Sequence, residues 1–148
     1  MAPPLRHLVL VLGDQLNQDA SAFMDFDAQQ DAVWMAEVDE ESTHVKSSKQ
    51  RTTLFLSAMR HFADDLRQKK WPLIYSVIDE PGNSGTLAGE LDQAITKTRP
   101  TKLIMTAPGD WRVLQSLRAV ASQHDLTLEI RDDTHFFSTV RELSLIHI

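Results

Sequence analysis

Three short polar stretches carry the residue types that do chemistry, and each follows an apolar run. "GDQL" (Gly13–Leu16) follows "LVLVL", "EVDEES" (Glu37–Ser42) closes the next apolar run, and "APGDWR" (Ala107–Arg112) follows "LIMT". Asp14, Glu37, Glu40 and Glu41 supply carboxylates and Gln15 an amide. Gly13 lets the chain turn where a Cβ would be in the way, or lets a ligand approach the backbone. The plainer alternative is a turn in which Asp14 caps the segment behind it. These carboxylates would repel a phosphate and suit a neutral ligand rich in hydroxyl or N–H groups. Two of them side by side could instead hold a divalent cation or do acid–base work. Dinucleotide binding is excluded by pattern: no G-x-G-x-x-G follows the first apolar run and no Walker lysine loop is present.

The remaining candidates are weaker. His44, His61, His124 and His135 show no metal-ligand spacing, and His61, between Arg60 and Phe62, reads as a helix-surface or interface residue. Ser57 and Ser138 lack a G-x-S-x-G context, so neither is proposed as a nucleophile. Trp34, Trp71 and Trp111 read as packing residues. The chain has no cysteine, which excludes disulfides, thiolate zinc sites and an iron–sulfur cluster ligated from within it.

The elements that must position these groups are legible from periodicity. Five apolar runs stand out: Leu8–Leu12, Ala32–Val38, Leu73–Ile78, Leu103–Thr106 and Leu126–Ile130. Most are continuous rather than alternating, as in strands buried on both faces of a parallel sheet. "KQRTTLFLSAMRHFADDLRQKK" places Phe55, Met59, Phe62 and Leu66 on one helical stripe, with Ser48 as a start cap and Lys69 and Lys70 at the end. "TLAGELDQAITKT" aligns Leu87, Leu91 and Ile95, and "DWRVLQSLRAVASQH" aligns Val113, Leu117 and Val120. Between the first two strands, "NQDASAFMDFDAQQ" offers Phe23, Met24 and Phe26 for packing and reads as a loop with a short helix. The order predicts an α/β fold: a five-stranded parallel Rossmann-like sheet with helices on both faces, three layers in a single domain. In such sheets ligands bind beyond the carboxyl ends of the strands, where strand order reverses. All three polar stretches are expected to meet there.

Composition narrows the class further. A chain of 148 residues, 42% hydrophobic and 24% charged, is long enough for one unaided core. The net charge of −6 is wrong for a domain that grips DNA by itself. The sole cationic cluster, "KSSKQR" (Lys46–Arg51), reads as a solvated helix start, so no direct nucleic-acid binding is expected. The five-residue apolar run before Gly13 is too short for a signal peptide or a membrane span, which points to a soluble cytoplasmic protein.

"LVLVLGDQL", "AEVDEESTHV", "KQRTTLFLSAMRHFADDLR" and "TAPGDWR" together resemble the N-terminal domain of the deoxyribodipyrimidine photolyase-related proteins, the iron–sulfur bacterial cryptochromes and prokaryotic (6-4) photolyases. The similarity runs from about Leu8 to Leu143, so residues 1–143 are expected to be the α/β antenna domain. The tail Ser144–Ile148 does not resemble the family and reads as a truncation or vector scar. The resemblance implies a parent several hundred residues longer, whose helical part holds FAD, a cysteine-bound [4Fe–4S] cluster and the DNA lesion. It implies light-driven DNA repair or blue-light sensing by that parent, with no catalytic residue in this chain. It also implies an antenna pigment, 6,7-dimethyl-8-ribityllumazine, in this domain. Carried over by position, its pocket would use Gly13, Asp14 and Leu16, then Ala36, Glu37 and Glu41, with Phe55 on the first helix. Phe55 stands where a smaller aliphatic residue is common, and Ser47 and Ser48 where histidines are. Three readings therefore stay open: a pigment-binding antenna, a scaffold for the helical domain that binds no pigment, and a small metal-dependent enzyme built on the strand-end carboxylates. A domain parted from its helical partner is also expected to self-associate through the uncovered surface.

Overall fold

The structure, a computed structural model, describes residues 5–38 and 49–132. Five strands, His7–Leu10 (β1), Ala32–Ala36 (β2), Leu73–Ser76 (β3), Lys102–Thr106 (β4) and Leu128–Arg131 (β5), form one sheet in the order β3-β2-β1-β4-β5. All four pairings are parallel; Leu8, Val9 and Leu10 of β1 lie opposite Ala32, Val33 and Trp34 on one side. On the other they lie opposite Leu103, Ile104 and Met105. Helices Lys49–Gln68 (α1), Leu87–Thr98 (α2) and Trp111–Gln123 (α3) make the connections, with a short 3-10 turn at Ser21–Phe23.

The continuous apolar runs are explained by the layers. Side chains alternate across a strand, so a strand covered on both faces must be apolar at every position. Leu8, Leu10, Trp34, Leu103 and Met105 face one side, where Leu87, Leu91 and Ile95 of α2 and Leu117 and Val120 of α3 cover them. Val9, Val11, Val33, Met35 and Ile104 face the other, against Met59, Phe62 and Leu66 of α1 and Phe23 of the 3-10 turn. The edge strands β3 and β5 are half-buried throughout. Thr86 caps α2 by accepting the Gly89 N–H at 3.0 Å. Asp110 caps α3 by accepting the Arg112 N–H at 2.9 Å.

The three-layer architecture agrees with the sequence reading, and two local expectations do not. Met24 is 63% exposed, because the turn after Phe23 carries its side chain outward while Phe23 and Phe26 close on Trp71. Trp111 is 67% exposed: it is the first residue of α3 and belongs to neither core cluster. The expected cap Ser48 lies outside the described residues, as do Lys46, Ser47, His44, His135, Ser138 and the tail Ser144–Ile148.

Candidate functional site

The chain leaves β1 toward β2 and β3 on one side, and β4 lies on the other. The strand order therefore reverses between β1 and β4, and "GDQL" and "APGDWR" flank that point, as expected for a ligand edge. The crevice itself is bridged by protein. The Gln15 amide donates to the carbonyls of Thr106 at 3.1 Å and Ala107 at 3.3 Å. The Thr106 hydroxyl lies 3.2 Å from that of Ser21 and accepts the Ala22 N–H at 3.2 Å. Gln15 is thus a strand-end residue that fastens the loop after β1 to β4.

Gly13 is buried, and its backbone is not in the left-handed region, which Gly82 and Gly85 occupy. Its lack of a side chain answers to space instead. A Cβ at Gly13 would stand 2.2 Å from Phe55 Cζ, 2.6 Å from Phe55 Cε1 and 3.1 Å from Met59 Sδ. The phenyl ring of α1 therefore rests directly on the backbone of the loop after β1. This is the space that the family resemblance assigns to a pigment. Leu16 packs into the same core as Phe55. Asp14 is exposed and makes no hydrogen bond or ion pair among the described residues, so it does not cap the segment behind it. Ala36 lies in the opposite core, under α2. Glu41 lies outside the described residues, as do Asp39 and Glu40. Gly13, Leu16 and Phe55 come together; Ala36 does not join them.

Glu37 has another occupation. Its carboxylate is fully buried and accepts Arg60 Nε and Nη2, each at 2.8 Å, the Ile78 N–H at 3.1 Å, and a short hydrogen bond from the Tyr75 hydroxyl. Four donors use up the roughly four lone-pair positions of a carboxylate. Its carbonyl accepts the Asn83 amide at 2.8 Å, and its N–H donates to Ser76 at 2.8 Å. Burial by itself would raise the Glu37 pKa; the bonds from Arg60, Tyr75 and Ile78 outweigh it and hold the group below the usual carboxylate range. Burial, then the bond to Glu37, pushes the Tyr75 hydroxyl well up. This cluster ties β2 to α1, β3 and the loop before α2. Sequence reasoning missed it, because nothing local in the sequence pairs the exposed Arg60 of α1 with Glu37 at the end of β2.

A second carboxylate, Asp31, does the same at the opposite edge. It is buried and accepts Arg6 Nε at 2.9 Å, Arg6 Nη2 at 2.6 Å, and the N–H groups of His7 at 3.1 Å and Asp27 at 2.9 Å. Among the described residues no three His, Asp or Glu side chains gather closely enough to hold a metal ion, so the metal-enzyme reading gains no ligand set there. No described helix is long and apolar enough to cross a membrane.

Comparison with known proteins agrees with this architecture. The family model for deoxyribodipyrimidine photo-lyase-related proteins matches residues 9–147. A (6-4) photolyase of Agrobacterium fabrum is 36% identical over 135 residues, which cover 91% of this chain and 27% of that protein. The chain thus spans about a quarter of the length of the curated relative it matches.

Proposed function

The chain belongs to the deoxyribodipyrimidine photo-lyase-related family, and from that premise we propose that it is the N-terminal α/β domain of a light-driven flavoprotein, with a side chain where an antenna pigment would sit. One observation carries this reading: the Phe55 ring fills the space beside Gly13. The saturated Glu37 carboxylate supports it, since Glu37 has no acceptor position left for a ribityl hydroxyl. The residues of this corner do not fit 6,7-dimethyl-8-ribityllumazine as they stand. The domain then acts as scaffold for the rest of the protein, where FAD, a [4Fe–4S] cluster and the DNA lesion would be bound. The relative's name makes light-dependent DNA repair the first activity to assay in the full-length protein.

The antenna reading keeps one observation in its favour. What fills the space is a half-buried ring rather than backbone, and a ring can swing aside. A fluorescence titration with 6,7-dimethyl-8-ribityllumazine separates the two. The expected result is no saturable binding by the natural chain and binding by Phe55→Ile. Binding by the natural chain that is lost in Asp14→Ala would overturn the scaffold reading and install the antenna.

A further inference from the structure

Among the described residues, Met24, Leu54 and Trp111 are the large apolar side chains left exposed. Met24 and Trp111 belong to segments that border the end of β5. The Ala107 N–H donates to the Arg131 carbonyl at 2.8 Å, and the loop that Ala107 opens leads to Trp111. The Arg131 guanidinium donates in turn to the Met24 carbonyl at 2.8 Å. The chain therefore leaves the sheet, after β5, between the segments that carry these two side chains.

Nothing among the described residues accounts for the composition of the loop 107–111. Trp111 adds almost no packing to either core cluster. Gly109 lies outside the left-handed region, and a Cβ there would meet no atom within 4 Å. Bare backbone with room above it and an indole in water both suit a loop on which a second surface closes. Asp14 shares this rim, because its neighbour Gln15 donates to the Ala107 carbonyl at 3.3 Å; Asp14 is exposed and has no partner among the described residues.

We propose that this rim seats the polypeptide that follows the domain in the full-length protein, with Trp111 and Met24 as apolar anchors and Asp14 as the acceptor of a cation. Position favours that occupant over a second copy. Whatever follows β5 is tethered at the rim itself, at an effective concentration that can reach the order of millimolar. Length agrees: the matched stretch is 27% of the Agrobacterium relative, which leaves most of that protein to be seated against it. Charge agrees as well, since a part that grips DNA carries cations and this chain has a net charge of −6. One tryptophan brings roughly 150–250 Å2, a sizeable share of the roughly 600–1,500 Å2 between domains of one chain. The inference rests on reading the chain as one domain of a longer protein and on nothing about the pigment.

Hydrogen exchange followed by mass spectrometry, on the full-length protein and on the 148-residue chain side by side, tests it. Amides of residues 107–111 and 24–27 should exchange about tenfold or more slowly in the full-length protein, while those of residues 56–61 on α1 keep their rates. In full-length protein carrying Trp111→Ala and Met24→Ala the slowing should be lost. The same two substitutions should leave the melting temperature of the 148-residue chain unchanged. Equal exchange in the two natural proteins overturns the proposal, as does slowing that survives the double variant. Slowing in the 148-residue chain that grows with its concentration would make a second copy the occupant and overturn it too. The lumazine titration stays separate: pigment binding with a protected rim would sink the scaffold reading alone, and no binding with an unprotected rim would sink this one alone.

Discussion

Gly13→Ala tests the ring contact directly. The new Cβ would meet Phe55 Cζ at 2.2 Å and Cε1 at 2.6 Å. Both are about an ångström or more short of the ~3.5 Å at which carbon atoms attract. Overpacking of this kind costs about 1–3 kcal/mol. Phe55 is only half-buried, so its ring can escape toward solvent. The cost is then capped near what its burial contributes, part of the ~1.5–3 kcal/mol of a fully buried side chain. A loss of about 1–2 kcal/mol is expected in urea or thermal unfolding followed by circular dichroism. With Phe55→Ala in the background the sign should reverse. The Gly13 backbone is outside the left-handed region, so alanine fits it, and Gly→Ala at a compatible position stabilises by about 0.4–1 kcal/mol through the unfolded chain. The double-mutant cycle should therefore show coupling well beyond the ~0.3–0.5 kcal/mol of independent sites. An equal loss from Gly13→Ala in both backgrounds would refute the ring contact, and with it the support for the scaffold reading.

Four further outcomes follow from the buried and half-buried polar groups. Glu37→Ala should destabilise by about 3 kcal/mol, the low end for breaking a buried ion pair, because Arg60 can turn to water while Ile78 N–H and the Tyr75 hydroxyl are left without their acceptor; denaturant titration reads it. Glu37 and Asp31 both titrate below the ordinary carboxylate range, burial being outweighed in each by its arginine, Arg60 and Arg6. Their contribution is therefore complete above the unfolded values near pH 4 and lost as pH falls through the lower folded ones, giving an acid limb in the urea midpoint. Burial, acting against Asp31, lowers the His7 pKa, so the folded state takes up its proton later than the unfolded one. Stability should begin to fall once pH drops below about 6.5, and His7→Gln should flatten that part of the profile. The Trp34 indole N–H is fully buried with no partner among the described residues. Trp34→Phe removes a donor whose burial costs ~1–3 kcal/mol, which offsets the lost volume, and thermal unfolding should show it far milder than the ~3–5 kcal/mol of Trp34→Ala.

The fold was legible because its signals are local and repeated. Leu8–Leu12 and Ala32–Val38 are apolar at nearly every position, and only strands covered on both faces require that. The caps Thr86 and Asp110 came only with the structure, although each opens a stretch read as helical and stands where a short side-chain oxygen meets free N–H groups. Trp111 misled because aromatic size is a poor guide to burial at a helix start, and this first residue of α3 is left 67% exposed. The site was less legible. Glu37 closes a strand at the ligand edge and so looks like a ligand group, yet its partners Arg60, Tyr75 and Ile78 are 23, 38 and 41 residues away along the chain. No local pattern announces a pairing set by the crossover of α1.

Gly13 shows why position alone underdetermines function here. A glycine after a buried strand reports that something must come close to the backbone, and it does not say what. A planar pigment and a phenyl ring of the protein make the same demand on that atom. The deciding residue is Phe55, which lies 42 positions later and which the glycine motif does not contain. Transfer of a binding site within a family therefore has to follow the volume from both sides. On the scaffold reading proposed above, Phe55 takes the packing place that a ligand would otherwise hold against Gly13, and the Gly13→Ala and Phe55→Ile variants test it from the two sides.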